Sequence, residues 1–236
     1  STPSGNGAWL VRNSWTTGPD NNNYYGYFWL SYYDKSLYKN NVYSFEFGKE
    51  SDYDNNYQYD GSYLSYPFSN CSTMANVFTV KAAAQEEVDA VQLTTSGTNV
   101  GYTIQIYQSP TSTTNPMSGT LISSSTTAGT IAYPGVHTIS LASPIVFSSG
   151  TKYAVVVTVN KPASGLDAER DYDDSDITME ASVPARGESL FYENGSWYDM
   201  YDQQSNGWGN FCIKALTKNI GTPANPGKVS SLSTTG

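Results

Sequence analysis

Few residues in this chain could carry nucleophilic or acid–base chemistry. Cys71 and Cys212 are its cysteines and His137 its single histidine. A nucleophilic thiolate needs a neighbouring imidazole, and a third group to orient that ring. A zinc site would need more soft ligands than this set offers. His137 sits in "GVHTISL", a strand-like stretch where it faces solvent or a neighbouring side chain rather than a substrate. Carboxylates form the second group. "LDAERDYDDSD" brings Asp167, Glu169, Asp171, Asp173, Asp174 and Asp176 into one short segment. Calcium takes roughly six to eight oxygens from a loop that wraps it. The stretch lacks EF-hand spacing, and it reads either as a solvated acidic loop or as a weak divalent-cation loop. "ESDYDNN", 50–56, is a second acidic loop. Aromatic residues form the third group. Trp197, Tyr198 and Trp208, in "NGSWYDMYDQQSNGWGN", either stack on the apolar faces of sugar rings or pack inside the fold.

The elements that must position these groups are β-strands. Tyrosine is abundant, at 20 residues, and Thr, Ser, Asn and Gly fill much of the rest. Tyr and Thr favour strands, whereas Asn, Gly and Ser favour turns. Only 14% of residues are charged against 38% hydrophobic, which indicates a globular chain with a polar, uncharged surface. The formal charge of −9 leaves little positive charge to displace the counterions of a polyanion, so nucleic acid is excluded as a partner. No apolar run is long enough for a membrane-crossing helix, and no membrane insertion is expected. No signal peptide is present, as would also hold for a mature or excised chain.

Along the chain, 8–12 reads as a short buried strand and 26–33 as a second, aromatic one, paired as a hairpin through the turn-rich loop between them. "NVYSFEF", 41–47, alternates with the period of a half-buried strand. The polar stretch 48–66 reads as an ordered linker whose tyrosines pack. From 67 to 219 about eight strands follow, punctuated by Gly, Pro, Asn and Ser: a β-sandwich or jelly roll. The tail, 220–236, reads as a linker towards a further module. Cys71 precedes the first sandwich strand and Cys212 lies in the last. Terminal strands of sandwiches are often neighbours, so the two either form a bridge or remain buried free thiols.

"NGAWLVRNSWTTG" followed by "YYGYFWLSYYD" resembles the C-terminal part of the papain-like cysteine peptidase domain. In that family a strand ends in Asn-Ser-Trp and a Gly-Tyr strand follows. The resemblance implies that Asn13 orients a catalytic histidine supplied from upstream and that Trp15 shields their hydrogen bond. Gly26 and Tyr27 match the following Gly-Tyr, while Thr16 departs from the family's usual glycine. The remainder is similar to the lectin-like domain that follows the peptidase in secreted and cell-wall cysteine proteases of clostridia. Its carriers are "YQYDG", "MANVFTV", "GVHTISL", "KYAVVVTV" and "NFCIKALT". These resemblances imply an all-β fold: a jelly-roll-like, lectin-like β-sandwich preceded, over 1–47, by the last strands of a papain-like peptidase domain.

The family's nucleophile and histidine both precede Asn-Ser-Trp, and neither a Cys nor an His lies before Asn13 here. The resemblance therefore implies a chain that is inactive alone and whose partner is the upstream peptidase domain of the same polypeptide. The expected place is outside the cell or on its surface, with a cell-surface polysaccharide or protein as a further partner. No cofactor is required, although lectin-like domains of this kind can carry calcium. A stand-alone carbohydrate-binding or adhesion module is the alternative.

Overall fold

The computed structural model describes residues 5–12, 26–35, 43–61, 64–68, 71–81, 85–174 and 176–221. Two compact units emerge, Ser1–Lys49 and Glu50–Gly236. In the first, β1 (Ala8–Arg12) pairs antiparallel with β2 (Tyr27–Ser31), with Leu10 opposite Trp29. The expected hairpin pairing is therefore present. Burial of its first strand is not: Trp9 is 57% exposed and Leu10 55%, and Trp29 on the second strand is exposed as well. Trp9 meets Tyr32 edge-on, with ring centroids 4.9 Å apart. Residues 43–47 form no strand, and Phe47 is 88% exposed. Their alternation is real, but a strand needs a ladder partner and none pairs with them among the described residues.

The second unit holds the remaining strands. They begin with β3 (Asn55–Tyr57), β4 (Ser65–Pro67), β5 (Thr73–Thr79), β6 (Gln85–Thr95), β7 (Val100–Gln108) and β8 (Thr120–Leu121). Next come β9 (Thr127–Ile131), β10 (Gly135–Ser148), β11 (Lys152–Val159), β12 (Asp167–Arg170), β13 (Tyr172–Asp173) and β14 (Thr178–Met179). The series closes with β15 (Ser189–Glu193), β16 (Ser196–Asp199), β17 (Trp208–Phe211) and β18 (Ile213–Ile220). One sheet runs β10-β6-β18-β3. Facing it is a seven-stranded sheet, β16-β15-β5-β11-β7-β8 with β9 also on β7. A smaller sheet, β17-β12-β4, lies beside them. The chain is all-β and sandwich-like. Within the stretch 48–66, β3 joins the edge of the four-stranded sheet through Leu216 and Tyr57 is buried.

The core lies between the two large sheets. Met74 and Phe78 from β5, Tyr153, Val155 and Val157 from β11, Leu93 from β6 and Ile213 from β18 are fully or almost fully buried there. β11 reads as a continuous apolar run because both of its faces are covered. Ala154 and Val156 point to the opposite side, into a second cluster with Ala75 and Tyr107. A short 3₁₀ turn, Pro116–Ser118, lies against that outer face, on β5, β7 and β11.

One polar residue ties the two sheets together. Asn76 points inward from β5 and donates to the carbonyls of Phe211 (3.0 Å) and Ile213 (2.9 Å). Its Oδ1 accepts from Ser189 Oγ at 2.6 Å. These carbonyls flank Cys212, where the chain steps from β17 into β18.

Cys71 and Cys212 are both buried and free, so the bridge that sequence position allowed is not formed. The reason is topological. β5, which follows Cys71, runs inside the seven-stranded sheet between β15 and β11, whereas Cys212 leads into the facing sheet. Asn76, not Cys71, stands level with Cys212, and five residues of extended chain separate the two, roughly 16 Å.

Candidate functional site

The β15–β16 hairpin turns through Asn194 (φ 49°) and Gly195 (φ 84°). Two consecutive left-handed residues form the tight turn whose twist matches paired strands, which is why Asn-Gly suits it. The turn sets the register: Tyr192 opposite Trp197, and Phe191 opposite Tyr198. Strand alternation then separates the two pairs. Phe191 is buried in the core, so Tyr192 and Trp197 are on the outer face. Their ring centroids are 5.4 Å apart and tilted by 59°.

This pair continues as a row across the sheet. Tyr192 is level with Thr73 on β5, Thr73 with Thr158 on β11, and Thr158 with Thr103 on β7. The Thr73 and Thr158 hydroxyls are 3.1 Å apart and share one hydrogen bond. Thr73, Thr158, Val156 and Gln105 line an open groove of about 770 Å³. Tyr192 and Trp197 line it from the hairpin, and Asn115 and Met117 from the 3₁₀ turn. The turn is fixed by Asn115, whose Oδ1 accepts from the Met117 N–H at 3.0 Å. Among the described residues, no charged side chain lines this groove, although the chain carries a formal charge of −9.

Of the aromatic candidates, Trp197 alone lines the groove. Tyr198 is on the other face of β16, stacked on Phe191 at 5.4 Å. Trp208 is half-buried on β17, edge-on to Phe68 at 5.0 Å and covered by the Arg170 guanidinium at 4.5 Å. The structure does not gather the three into one platform. Tyr192, Thr73 and Thr158 line the groove as well, and nothing in their local sequence marks them out one by one. The Asn-Gly step carried the signal, because a two-residue turn there places Tyr192 beside Trp197.

The acidic stretch is dispersed. β12 buries Asp167 and Glu169. Asp167 accepts from Ser96 Oγ (2.8 and 2.9 Å) and Ser65 Oγ (3.1 Å). Glu169 accepts from the Gly61 N–H at 2.7 Å and from the Ser182 hydroxyl. Burial, partly offset by its serine donors, raises the Asp167 carboxyl above the ordinary range. The others are exposed. Asp171 accepts from the Ala181 N–H (2.7 Å) and Asp173 from Thr178 Oγ1 (2.7 Å). Asp174 accepts from Tyr172 Oη and from the N–H groups of Asp176 and Ile177, with its carboxyl lowered chiefly by the tyrosine. Among the described residues, no group of three or more Asp, Glu, His or Cys side chains is placed to hold a metal ion. The donors that these carboxylates accept from all belong to the protein.

His137 lies on β10 with Nε2 at 2.8 Å from the Tyr133 carbonyl. Its partner is backbone, and neither cysteine accompanies it. Asn13 and Trp15 lie outside the described residues, so the orienting and shielding roles implied for them have no geometry here.

A family model described as "Lectin like domain" matches residues 56–217. The chain belongs to the lectin-like domain family. The lectin-like domain thus spans both large sheets and includes the groove. Among solved structures, the cysteine protease and lectin-like domains of Cwp84, a surface layer associated protein of Clostridium difficile, are 26% identical to the chain, with a TM-score of 0.59. That match covers 92% of this chain and 47% of the other. A structure of the clostridial cysteine protease Cwp84 after propeptide cleavage shares the fold, at 24% identity and a TM-score of 0.60, over 92% of this chain and 53% of the other. The chain therefore spans about half the length of these structures. No curated protein sequence matches it. Among the described residues, no helix is long and apolar enough to cross a membrane.

Proposed function

We propose that the chain is the non-catalytic C-terminal portion of a secreted papain-like cysteine endopeptidase, and that its lectin-like domain is an accessory module. The module holds the enzyme at a glycan- or protein-rich surface, or braces the catalytic domain. The observation that carries this reading is the exposure of large apolar side chains on the β1–β2 hairpin. Leu10 and Trp29 stand opposite one another on one face of the ribbon and Trp9 is on the other, and all three are exposed. Exposed apolar side chains on a ribbon of this kind mark an interaction surface, and a lone hairpin is marginal in water. An upstream peptidase sheet would cover it. The Asn-Ser-Trp step that follows Arg12 in the sequence supports the same partner, as does the protease domain that accompanies the lectin-like domain in the Cwp84 structure.

Two assays test this reading. The chain alone should give no thiol-dependent hydrolysis of peptide substrates, because it supplies no thiolate–imidazole pair. In the full-length parent, Asn13→Ala should lower kcat with the fold retained. Full activity in that variant, or hydrolysis by the chain alone, would contradict the assignment.

A further inference from the structure

The groove on the outer face of the seven-stranded sheet has a chemistry of its own. We infer that it is a binding site for an extended, neutral oligosaccharide segment. The inference deepens the targeting half of the proposed function and rests on that half alone; it needs no peptidase partner.

Four observations converge on this ligand class. First, two aromatic rings stand together on one wall, with Tyr192 exposed and Trp197 half-buried behind it. A pyranose ring presents apolar C–H faces that pack on such rings, and aromatic side chains combine large contact area with defined geometry. Second, the lining beyond the rings is rich in hydroxyl and amide groups. Thr73 and Thr158 spend one hydrogen on their mutual bond, which leaves one O–H to donate outward and lone pairs to accept. Gln105, Asn115 and Ser196 add further donors and acceptors within the same groove. Paired donor and acceptor capacity at each point is what a sugar hydroxyl matches, since it too does both.

Third, the lining contributed by the described residues is uncharged, in a chain that is otherwise strongly acidic. An anionic polysaccharide would be repelled by the surrounding net charge and would meet no cation in the groove. A cationic ligand would meet no carboxylate there. Fourth, the form is an open trough rather than a closed cavity, and its volume, about 770 Å³, is in the range of pockets that hold small ligands. Its walls come from the hairpin on one side and the Pro116–Ser118 turn on the other, the turn capped by the Asn115 side chain.

Retention of the full chain on immobilised neutral polysaccharides (amylose, cellulose, galactomannan and yeast mannan) tests the inference, with polygalacturonate as the anionic control. The expected result is retention on at least one neutral polymer and none on polygalacturonate. Trp197→Ala should weaken that retention by about tenfold or more. Thr158→Val removes a hydroxyl at nearly constant shape and keeps the test valid should the tryptophan variant fold poorly; it should also weaken retention. Tyr198→Ala, on the opposite face of β16, should leave retention unchanged. Absence of retention on every neutral polymer would overturn the inference. So would retention indifferent to both groove variants, retention on polygalacturonate alone, or competition by an extended neutral peptide in place of an oligosaccharide. None of these outcomes bears on hydrolysis by the full-length parent, so the two readings fail separately.

Discussion

Tyr192 and Trp197 face each other across a two-residue turn, with ring centroids 5.4 Å apart. Their closeness depends on a backbone that only a few residues accept, since Asn194 and Gly195 both have positive φ. A Cβ added at Gly195 would meet no neighbouring atom, so the cost of Gly195→Ala is conformational rather than steric. We expect that variant to lose about 1 kcal/mol of stability in urea unfolding. It should also change tryptophan fluorescence as the hairpin loosens. Unchanged stability would mean that the turn relaxes freely into another type.

Asn76 makes a second prediction. Its amide satisfies two carbonyls of the facing segment and accepts from Ser189, all in the buried core. Asn76→Leu has nearly the same volume but leaves those carbonyls without this donor. The expected loss is about 2–4 kcal/mol in urea unfolding, because unsatisfied buried polar groups each carry a desolvation cost. A loss below about 0.5 kcal/mol would show that water or a backbone shift replaces the amide.

The cysteines should be silent in the folded state. Burial pushes the Cys71 thiol up to about 12 and raises that of Cys212 further, with nearby Asp60, Asp167 and Glu169 adding to the shift. A thiol held protonated and shielded is a poor nucleophile. Thiol titration at neutral pH should therefore give no rapid reaction in the native chain and two thiols after denaturation without reductant. Melting should be the same with and without reductant. One bridge and no free thiol in the denatured chain would contradict the structure.

Asp167 predicts a pH dependence. Burial raises its carboxyl in the folded state, so the folded chain binds this proton more tightly than the unfolded chain does. Its contribution favours folding fully below the unfolded-state pKa and is lost as pH rises through the folded value. Asp167→Asn lacks the titration and keeps an oxygen for the serine donors. The stability of the variant relative to the native chain should therefore improve as pH rises from about 4 to about 7. Urea unfolding at several pH values measures this, and a constant difference would refute it.

Strands with strong patterns are legible in the sequence. "KYAVVVTVN" is β11, an apolar run bounded by turn residues, and "GYTIQIYQS" is β7, where Ile104 and Ile106 alternate with polar residues. Boundaries failed where the chain changes sheets. "GNFCIKALT" reads as one strand but divides at Cys212, and "ESLFYENGSW" divides at its Asn-Gly turn. "GVHTISL" and "IVFSSG" fail in the other direction and join as β10, because a bulge absorbs the irregularity between Ser140 and Ile145. The groove was half legible. Trp197 stands out as an aromatic in a loop-rich segment, but Thr73, Gln105 and Thr158 are ordinary strand residues until the pairing of β15, β5, β11 and β7 sets them on one face. That pairing is a long-range fact, which local sequence does not encode. The acidic stretch is illegible for a similar reason: density along the chain says nothing about which donors fold back onto each carboxylate.

β10 forms an edge of the four-stranded sheet, fourteen residues long. An uninterrupted edge of that length would offer a template on which a second molecule could add its own strand. Here the row is broken at its middle. Pro144 has no N–H to give, the bulge shifts the ladder between Ser140 and Ile145, and the Ala142 N–H is already committed to Thr127 Oγ1 at 2.8 Å. The sheet therefore ends where β10 ends it. Many copies held shoulder to shoulder at high local concentration would stay separate molecules instead of zipping into a fibre.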